Sequence, residues 1–311
     1  MKQVIRTNHY KNIPVLITGG CGFIGSHLAH KLVSLGAQVT VLDNLSTGTL
    51  ENIQDIKHQI TFIQDTIINP QACIRAAKNK KIIFHLAASI SVPESIINPT
   101  ECYATNITGT INVLEAARIN AVDRFIFSSS AAVYGNYEGA CHENLPCDPQ
   151  SPYGYSKQIG ELLCSQYTRN YALNTTCLRY FNVYGTRQNY TSPYAGVVAK
   201  FRHNIQHNLP IHLFGDGLQT RDFVPVETVV DANLKLALRD QQRDQQQVTE
   251  QIFNIATGTS TTLLSLIENL KKESPGYTGA IIFNPKRPGD VTHSYANCAK
   301  YQQLIEKINI F

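Results

Sequence analysis

The chain contains no tryptophan and a single methionine, and charged residues make up only 16% of its 311 positions. So little charge, beside 43% hydrophobic residues, excludes an intrinsically disordered chain. The net charge of +4, from 27 basic and 23 acidic residues, is too weak and dispersed to argue for a nucleic-acid groove, so no nucleic-acid partner is expected. No apolar run approaches the roughly 18 residues needed to cross a bilayer, and none follows the charged N-terminus as in a secretory leader. The eight cysteines include no C-x-x-C pair and are too sparse for a disulfide scaffold. We therefore expect reduced, mostly buried thiols in a cytoplasmic protein with no membrane contact.

Short apolar runs are what the chain does have. They occur at 14–18, 39–42, 60–63, 82–86, 125–128 and 175–178, spaced widely enough for crossover helices, with a helical pattern over 23–35 between the first two. This alternation predicts an α/β fold with a doubly wound parallel sheet of Rossmann type. Beyond residue 184 the alternation weakens into turn-rich sequence, with apolar patches at 211–214, 223–226 and 252–255, which suits segments that cover a ligand. The boundaries expected are a sheet domain over 1–183, completed by roughly 226–258, and a smaller C-terminal substrate-binding domain from 184–225 and 259–311. The glutamine-rich stretch 239–251 reads as an exposed helix end and loop.

Residues 18–28 read TGGCGFIGSHL, with Gly19, Gly22 and Gly25 spaced G-x-x-G-x-x-G between a strand and a helix. In that context glycines allow a tight turn and close approach of backbone to a pyrophosphate, and the helix N-terminus, through Phe23 and Ile24, faces the anion. Asp43, eighteen residues after Gly25, can accept hydrogen bonds from both adenine-ribose hydroxyls. No arginine follows it, only Asn44, Leu45 and Ser46, so NAD is expected over NADP. Asp65 suits either the adenine edge or an ordinary loop.

Tyr153 and Lys157 lie four apart after Ser151-Pro152, a helix start, so both side chains share one helix face. An ammonium about 5 Å from a phenol, at an effective dielectric of ~20, contributes roughly 3 kcal/mol, or about 2.4 pK units, toward making the tyrosine a base. With the positive nicotinamide ring nearby, Tyr153 is expected to act as base chiefly in the cofactor complex. Tyr155 points elsewhere and is assigned to packing. His203, His207 and His212 have no carboxylate or cysteine to complete a ligand set, so no metal is expected.

These motifs together resemble the extended short-chain dehydrogenase/reductase family over nearly the whole chain: TGGCGFIG, Asp43-Asn44, HLAA at 85–88, Asn106 in TNITGT, SSSAAVYG from Ser128, Tyr153 with Lys157, RYFNVYG from Arg179 and RDFVPVE from Arg221. The chain looks most like that family's UDP-hexose 4-epimerases, which hold NAD tightly, and family members are usually dimers through helices that include the one bearing the tyrosine. The resemblance implies that Ala87, Ala88, Asn106 and Ser128 join the NAD site, that Ser130 is the catalytic serine, Tyr153 the base and Lys157 its pKa-lowering partner, and that Asn182 contacts the substrate near its diphosphate.

It also implies that Arg221 and Arg287 grip the UDP diphosphate, that Asp290 meets the uridine ribose, and that Ala195, Val197 and Lys200 belong to a uridine-clamping segment. Arginine suits a diphosphate because its planar fork binds two oxygens at once. Ser294 falls where galactose-restricted epimerases carry a bulky tyrosine, and its small side chain leaves room for an acetamido group; Ser91 matches a serine in the same sugar pocket. Related dehydratases place an acid just after the catalytic hydroxyl residue, whereas Ala131-Ala132 stand here. The reading is therefore epimerisation of a UDP-hexose, most of all UDP-N-acetylglucosamine, with a uronic-acid substrate, another epimerase or reductase chemistry, or a non-catalytic NAD sensor as alternatives. Relatives continue past the helix near the end of this sequence, and the stop at Phe311 bears on stability more than on chemistry.

Overall fold

The computed structural model describes residues 9–190, 196–239, 251–286 and 291–307. The first elements are β1 (Pro14–Thr18), α1 (Phe23–Ser34), β2 (Gln38–Asp43), a 3₁₀ segment Leu50–Gln59, β3 (Thr61–Gln64), α2 (Pro70–Ala77) and β4 (Ile82–His85). Then come α3 (Val92–Ile97), α4 (Pro99–Tyr103), a single π turn Ala104–Thr108, α5 (Gly109–Ile119), β5 (Arg124–Ser130), α6 (Pro152–Tyr171) and β6 (Thr175–Tyr180). With β11 (Ile252–Ile255), seven strands form one sheet in the order β3-β2-β1-β4-β5-β6-β11, every pair parallel.

Strand periodicity builds two cores, one on each face of this sheet. Val15 and Ile17 of β1 and Ile82 and Phe84 of β4 pack with α1 and with α8 (Val226–Ala237); Leu16 and Ile83, between them, pack on the opposite face with α2, α5 and α6. The doubly wound α/β/α sandwich follows from that alternation, as the sequence predicts.

The second half adds β7 (Asn182–Tyr184), α7 (Val197–Gln206), β8 (Ile211–Phe214), β9 (Thr220–Arg221), β10 (Phe223–Pro225), β12 (Thr261–Thr262), α9 (Leu263–Glu273), β13 (Ile281–Asn284), β14 (His293–Ser294) and α10 (Ala299–Lys307). The β8–β13 pair and helices α7 and α9 enclose a separate core that includes Phe201, Ile211, Leu213 and Ile267. A three-stranded ribbon β12-β9-β14 and the β7–β10 pair lie in the same half. Among the described residues no helix is long and apolar enough to cross a membrane.

Two sequence expectations fail. Arg239, expected exposed, is buried, because its guanidinium lies over the Phe253 ring of the sheet's last strand, 5.5 Å from the centroid; residues 240–250 lie outside the described residues. Tyr155 is 47% exposed rather than packed, since it lies on the outer face of α6 with Leu162. The cysteines meet expectation: all eight are unpaired, and only Cys147 is not fully buried.

Candidate active site

The glycine loop sits between β1 and α1 at the C-terminal edge of the sheet, beside β4. Gly19 is left-handed (φ 73°), and a Cβ on it would lie 2.7 Å from the Ala87 nitrogen. A Cβ on Gly25 would run into the Gly19 carbonyl oxygen, so helix and loop meet backbone to backbone. Asp43, 7% exposed at the end of β2, accepts hydrogen bonds from the Cys21 N–H (2.9 Å) and the Leu45 N–H (2.8 Å), and each carboxylate oxygen keeps a lone pair for a further donor. A side-chain-free cradle at a helix N-terminus, with a carboxylate one strand away, fits an adenine dinucleotide. Asn44 caps its own turn by accepting from the Ser46 N–H, and the Asp65 carboxylate bonds Asn69 and Arg75.

The loop after β4 forms the next wall. Ala87 N–H donates to Thr18 Oγ1, which lies 2.7 Å from His85 Nδ1; His85 Nε2 lies 3.0 Å from Thr110 Oγ1, and Thr110 donates to the Asn106 carbonyl. The Thr110 proton goes to the Asn106 carbonyl, so Thr110 accepts from Nε2, and a neutral ring then accepts the Thr18 proton at Nδ1. His85 is then the neutral tautomer that donates from Nε2. Burial, then the Lys157 ammonium, push its pKa down to about 3. Asn106 in the π turn pairs with both backbone groups of Ser89 and donates to Ser156 Oγ, which donates to the Tyr153 carbonyl. The His85 link gave no motif signal beyond HLAA; only the fold brings Thr18, His85 and Thr110 into line.

Ser151 caps α6 by accepting from the Gly154 N–H, with Pro152 in the first turn. Helical spacing then sets Tyr153 and Lys157 on the face toward β5. Ser130 ends β5, its Oγ accepting from the Ala132 N–H, and its hydroxyl acts to lower the Tyr153 pKa. The Lys157 Nζ donates to the Ser128 carbonyl (2.8 Å) and lies 5.8 Å from the Tyr153 ring centroid. Burial pulls Lys157 down to about 8, and burial also raises Tyr153 above the ordinary phenol value, against the lowering influence of the Ser130 hydroxyl. Desolvation of the phenolate is the largest cause of this rise and is opposite in sign to the shift expected from a neighbouring ammonium.

On the substrate side, Asn182 N–H donates to the Asp222 carbonyl, and its side-chain nitrogen is buried with no partner. Ser294 of β14 sits directly across from Arg221 of β9, whose Nη1 reaches the Thr220 and Thr292 carbonyls. Asp222, buried between them, binds Thr257, Gly258 and Ala296, a role sequence reasoning missed because an aspartate after an arginine carries no spacing signal. Val197 opens α7 and Lys200 lies one turn on, while Ser91 caps α3 by accepting from the Glu94 N–H. Ala195, Arg287 and Asp290 lie outside the described residues. The site thus joins a dinucleotide cradle to a half-buried Ser-Tyr pair backed by the buried Lys157, a group that can move a proton to and from a substrate hydroxyl. That combination defines a dinucleotide-dependent enzyme acting on a carbinol centre.

Comparison with known proteins narrows the class. Residues 15–256 match the model of the NAD dependent epimerase/dehydratase family. A putative UDP-glucose 4-epimerase of Methanocaldococcus jannaschii is 39% identical, the match covering 93% of this chain and 92% of that protein. The structure of the UDP-N-acetylglucosamine 4-epimerase of Methanobrevibacter ruminantium, in complex with UDP-N-acetylmuramic acid, superposes with TM-score 0.88 at 34% identity, covering 94% of this chain and 92% of the other. The Thermus thermophilus UDP-glucose 4-epimerase complex with NAD gives 0.84 at 32% identity, over 94% and 93%. The chain belongs to the NAD dependent epimerase/dehydratase family and is an NAD-dependent enzyme of its epimerase type.

Proposed function

We propose that the protein interconverts the C4 epimers of a UDP-hexose, with UDP-N-acetylglucosamine and its galacto epimer as the preferred pair. The observation that carries the reaction is the constellation at the end of β5: half-buried Tyr153 and Ser130, with the buried Lys157 ammonium 5.8 Å from the tyrosine ring centroid and held by the Ser128 carbonyl. NAD, when bound, supplies the acceptor and donor of the C4 hydride. Tyr153 takes the 4-hydroxyl proton through or beside Ser130 and holds it while the sugar is a 4-keto species, and the charged Lys157 offsets the cost of the phenolate. Asn182 and Arg221, with Arg287, anchor the UDP while the keto sugar turns to present its other face; Tyr153 then returns the proton.

Ser294 supports the choice of sugar. A hydroxymethyl at that place, opposite Arg221, leaves volume that a tyrosine would fill. Relatives with names in both substrate groups surround this chain, so the test is a panel followed by NMR of the sugar anomeric signals: UDP-glucose, UDP-N-acetylglucosamine and their uronic acids, with no added NAD. Conversion of the N-acetylated sugar at the highest kcat/KM is expected. Preference for UDP-glucose would retire the acetamido reading, and unaffected turnover in Tyr153→Phe would end the epimerase assignment.

A homodimer is part of the proposal. Ile96 and Ile97 of α3 and Tyr155 and Leu162 of α6 are exposed on adjoining helices, an apolar face that a second copy would cover. Leu162→Glu is expected to yield monomers in light scattering. Eight unpaired thiols agree with a reducing, cytoplasmic setting.

A further inference from the structure

Outside the glycine loop, three chain segments that are remote in sequence are tied together around it. Residues 48–52 lie directly against its outer side: a Cβ on Gly48 would stand 2.6 Å from the Cys21 carbonyl carbon, and the Cys21 oxygen accepts from the Thr49 N–H (3.2 Å) and from Asn52 Nδ2 (2.9 Å). Ile53 and Ile56 anchor this segment in the core. The loop after β7 closes over it from the substrate side. Arg187, in left-handed conformation (φ 61°), donates from Nη1 to the Asn52 carbonyl (3.1 Å) and stands 3.0 Å from His30 Nδ1 on α1. His30 Nε2 in turn meets the Asp55 carboxylate at 2.7 Å, and His27, one turn earlier on α1, meets Thr186 Oγ1 at 3.1 Å. The order is guanidinium, imidazole, carboxylate, spanning α1, the 50–59 segment and the 185–188 loop.

We infer that Arg187 and Asn52 form a latch that slows dinucleotide release by holding the Cys21–Gly22 turn shut from outside. Neither residue is placed to touch the reacting atoms; both are positioning residues that act through the glycine loop. A dinucleotide leaving the cradle needs this turn to yield. The turn is pinned at the Cys21 oxygen by Asn52, and Asn52 is pinned by an arginine that belongs to the other half of the molecule. The chemistry suits such a latch, because a reaction with no net oxidation regenerates its cofactor at the end of each turnover and gains nothing from exchanging it. Arg187 follows β7, the strand that Asn182 opens, so the latch links the cofactor cradle to the substrate side of the site.

The inference rests on NAD binding by the glycine loop and not on the identity of the sugar, and its release assay uses no sugar. Protein loaded with NADH is chased with excess NAD, and the loss of protein-bound NADH fluorescence gives the release rate. Arg187→Ala and Asn52→Leu are each expected to release about tenfold faster, the effect of losing one charge-assisted or buried hydrogen bond. Arg187→Lys, which keeps the cation but replaces the rigid planar head whose Nη1 meets both the Asn52 carbonyl and His30 by an ammonium on a flexible stem, is expected to fall between. The kcat at saturating NAD should stay within about twofold of the parent, because the latch acts on residence and not on the reacting centre. An unchanged release rate in either soluble variant overturns the inference, and so does a kcat loss that saturating NAD fails to restore. Should Arg187→Ala not fold, Asn52→Leu cuts the other end of the same tie and decides the matter with Arg187→Lys.

Discussion

His85 should make the protein acid-sensitive well above the range in which its carboxylates titrate. The imidazole is 2% exposed and locked between Thr18 and Thr110, with a pKa pushed down to about 3 against 6.5 in an unfolded chain. A group that binds its proton more weakly in the folded state contributes stability above the unfolded pKa. That stability is lost as pH falls through 6.5, and the loss continues to about 3. At about 1.4 kcal/mol per pK unit, the share lost between pH 6.5 and 5 is roughly 2 kcal/mol, and about 5 kcal/mol is lost over the whole interval. Protonation at Nδ1 would also reverse the bond to Thr18, whose hydroxyl would have to turn its proton away from the ring. The assay is urea unfolding of the parent and of His85→Gln at about pH 7.5 and about pH 5. The variant should be the weaker protein at the higher pH, and its deficit should shrink by roughly 2 kcal/mol at the lower. Other titrating groups cancel in this double difference. Parallel losses in the two proteins would refute the neutral, locked imidazole.

Gly25→Ala should abolish NAD binding measured by calorimetry, since its new Cβ collides with the Gly19 carbonyl and forces open the loop that would hold the pyrophosphate. Arg179→Met should lower stability by about 3–5 kcal/mol, because it leaves Glu161 buried without its partner at 2.7 Å, whereas adding Glu161→Gln should recover much of the loss in the same denaturation assay. Ser294→Tyr should raise the kcat/KM ratio of UDP-glucose over UDP-N-acetylglucosamine by about tenfold or more.

The sheet was legible because parallel strands buried on both faces appear as short apolar runs, and six of the seven strands fall on runs such as 14–18 and 125–128 before the resemblance is used. The Tyr153–Lys157 pair was legible because i, i+4 spacing survives translation into three dimensions. What was hidden depends on contacts distant in sequence or on burial. The His85 relay joins positions 18, 85 and 110, and no local spacing announces it. Desolvation of Tyr153 reverses the direction of the shift expected from Lys157 alone, and burial cannot be read from a motif. Tyr155 was assigned to packing from its difference in phase with Tyr153, which fixes the face it occupies but not what covers that face.

The buried Glu161–Arg179 pair explains how the proposed Ser130–Tyr153–Lys157 group keeps its geometry. Glu161 stands one helical turn beyond Lys157 on α6 and accepts from Ser129, the neighbour of Ser130 on β5, as well as from Arg179 on β6. Arg179 stacks 4.6 Å from the Tyr134 ring, and Tyr134 donates to Asn254, which donates in turn to the Cys141 and Asn297 carbonyls. One continuous network therefore spans the tyrosine helix, the serine strand and the C-terminal segment that carries Ser294. A charge pair so deep gains little net energy over apolar packing, but its bonds are directional, and each fixes a distance that apolar contacts would leave loose. Removing Arg179 should accordingly cost activity beyond its effect on stability, with kcat falling while NAD remains bound, whereas a purely apolar truncation such as Ile83→Val, equally buried in the sheet, should lower stability and leave kcat alone.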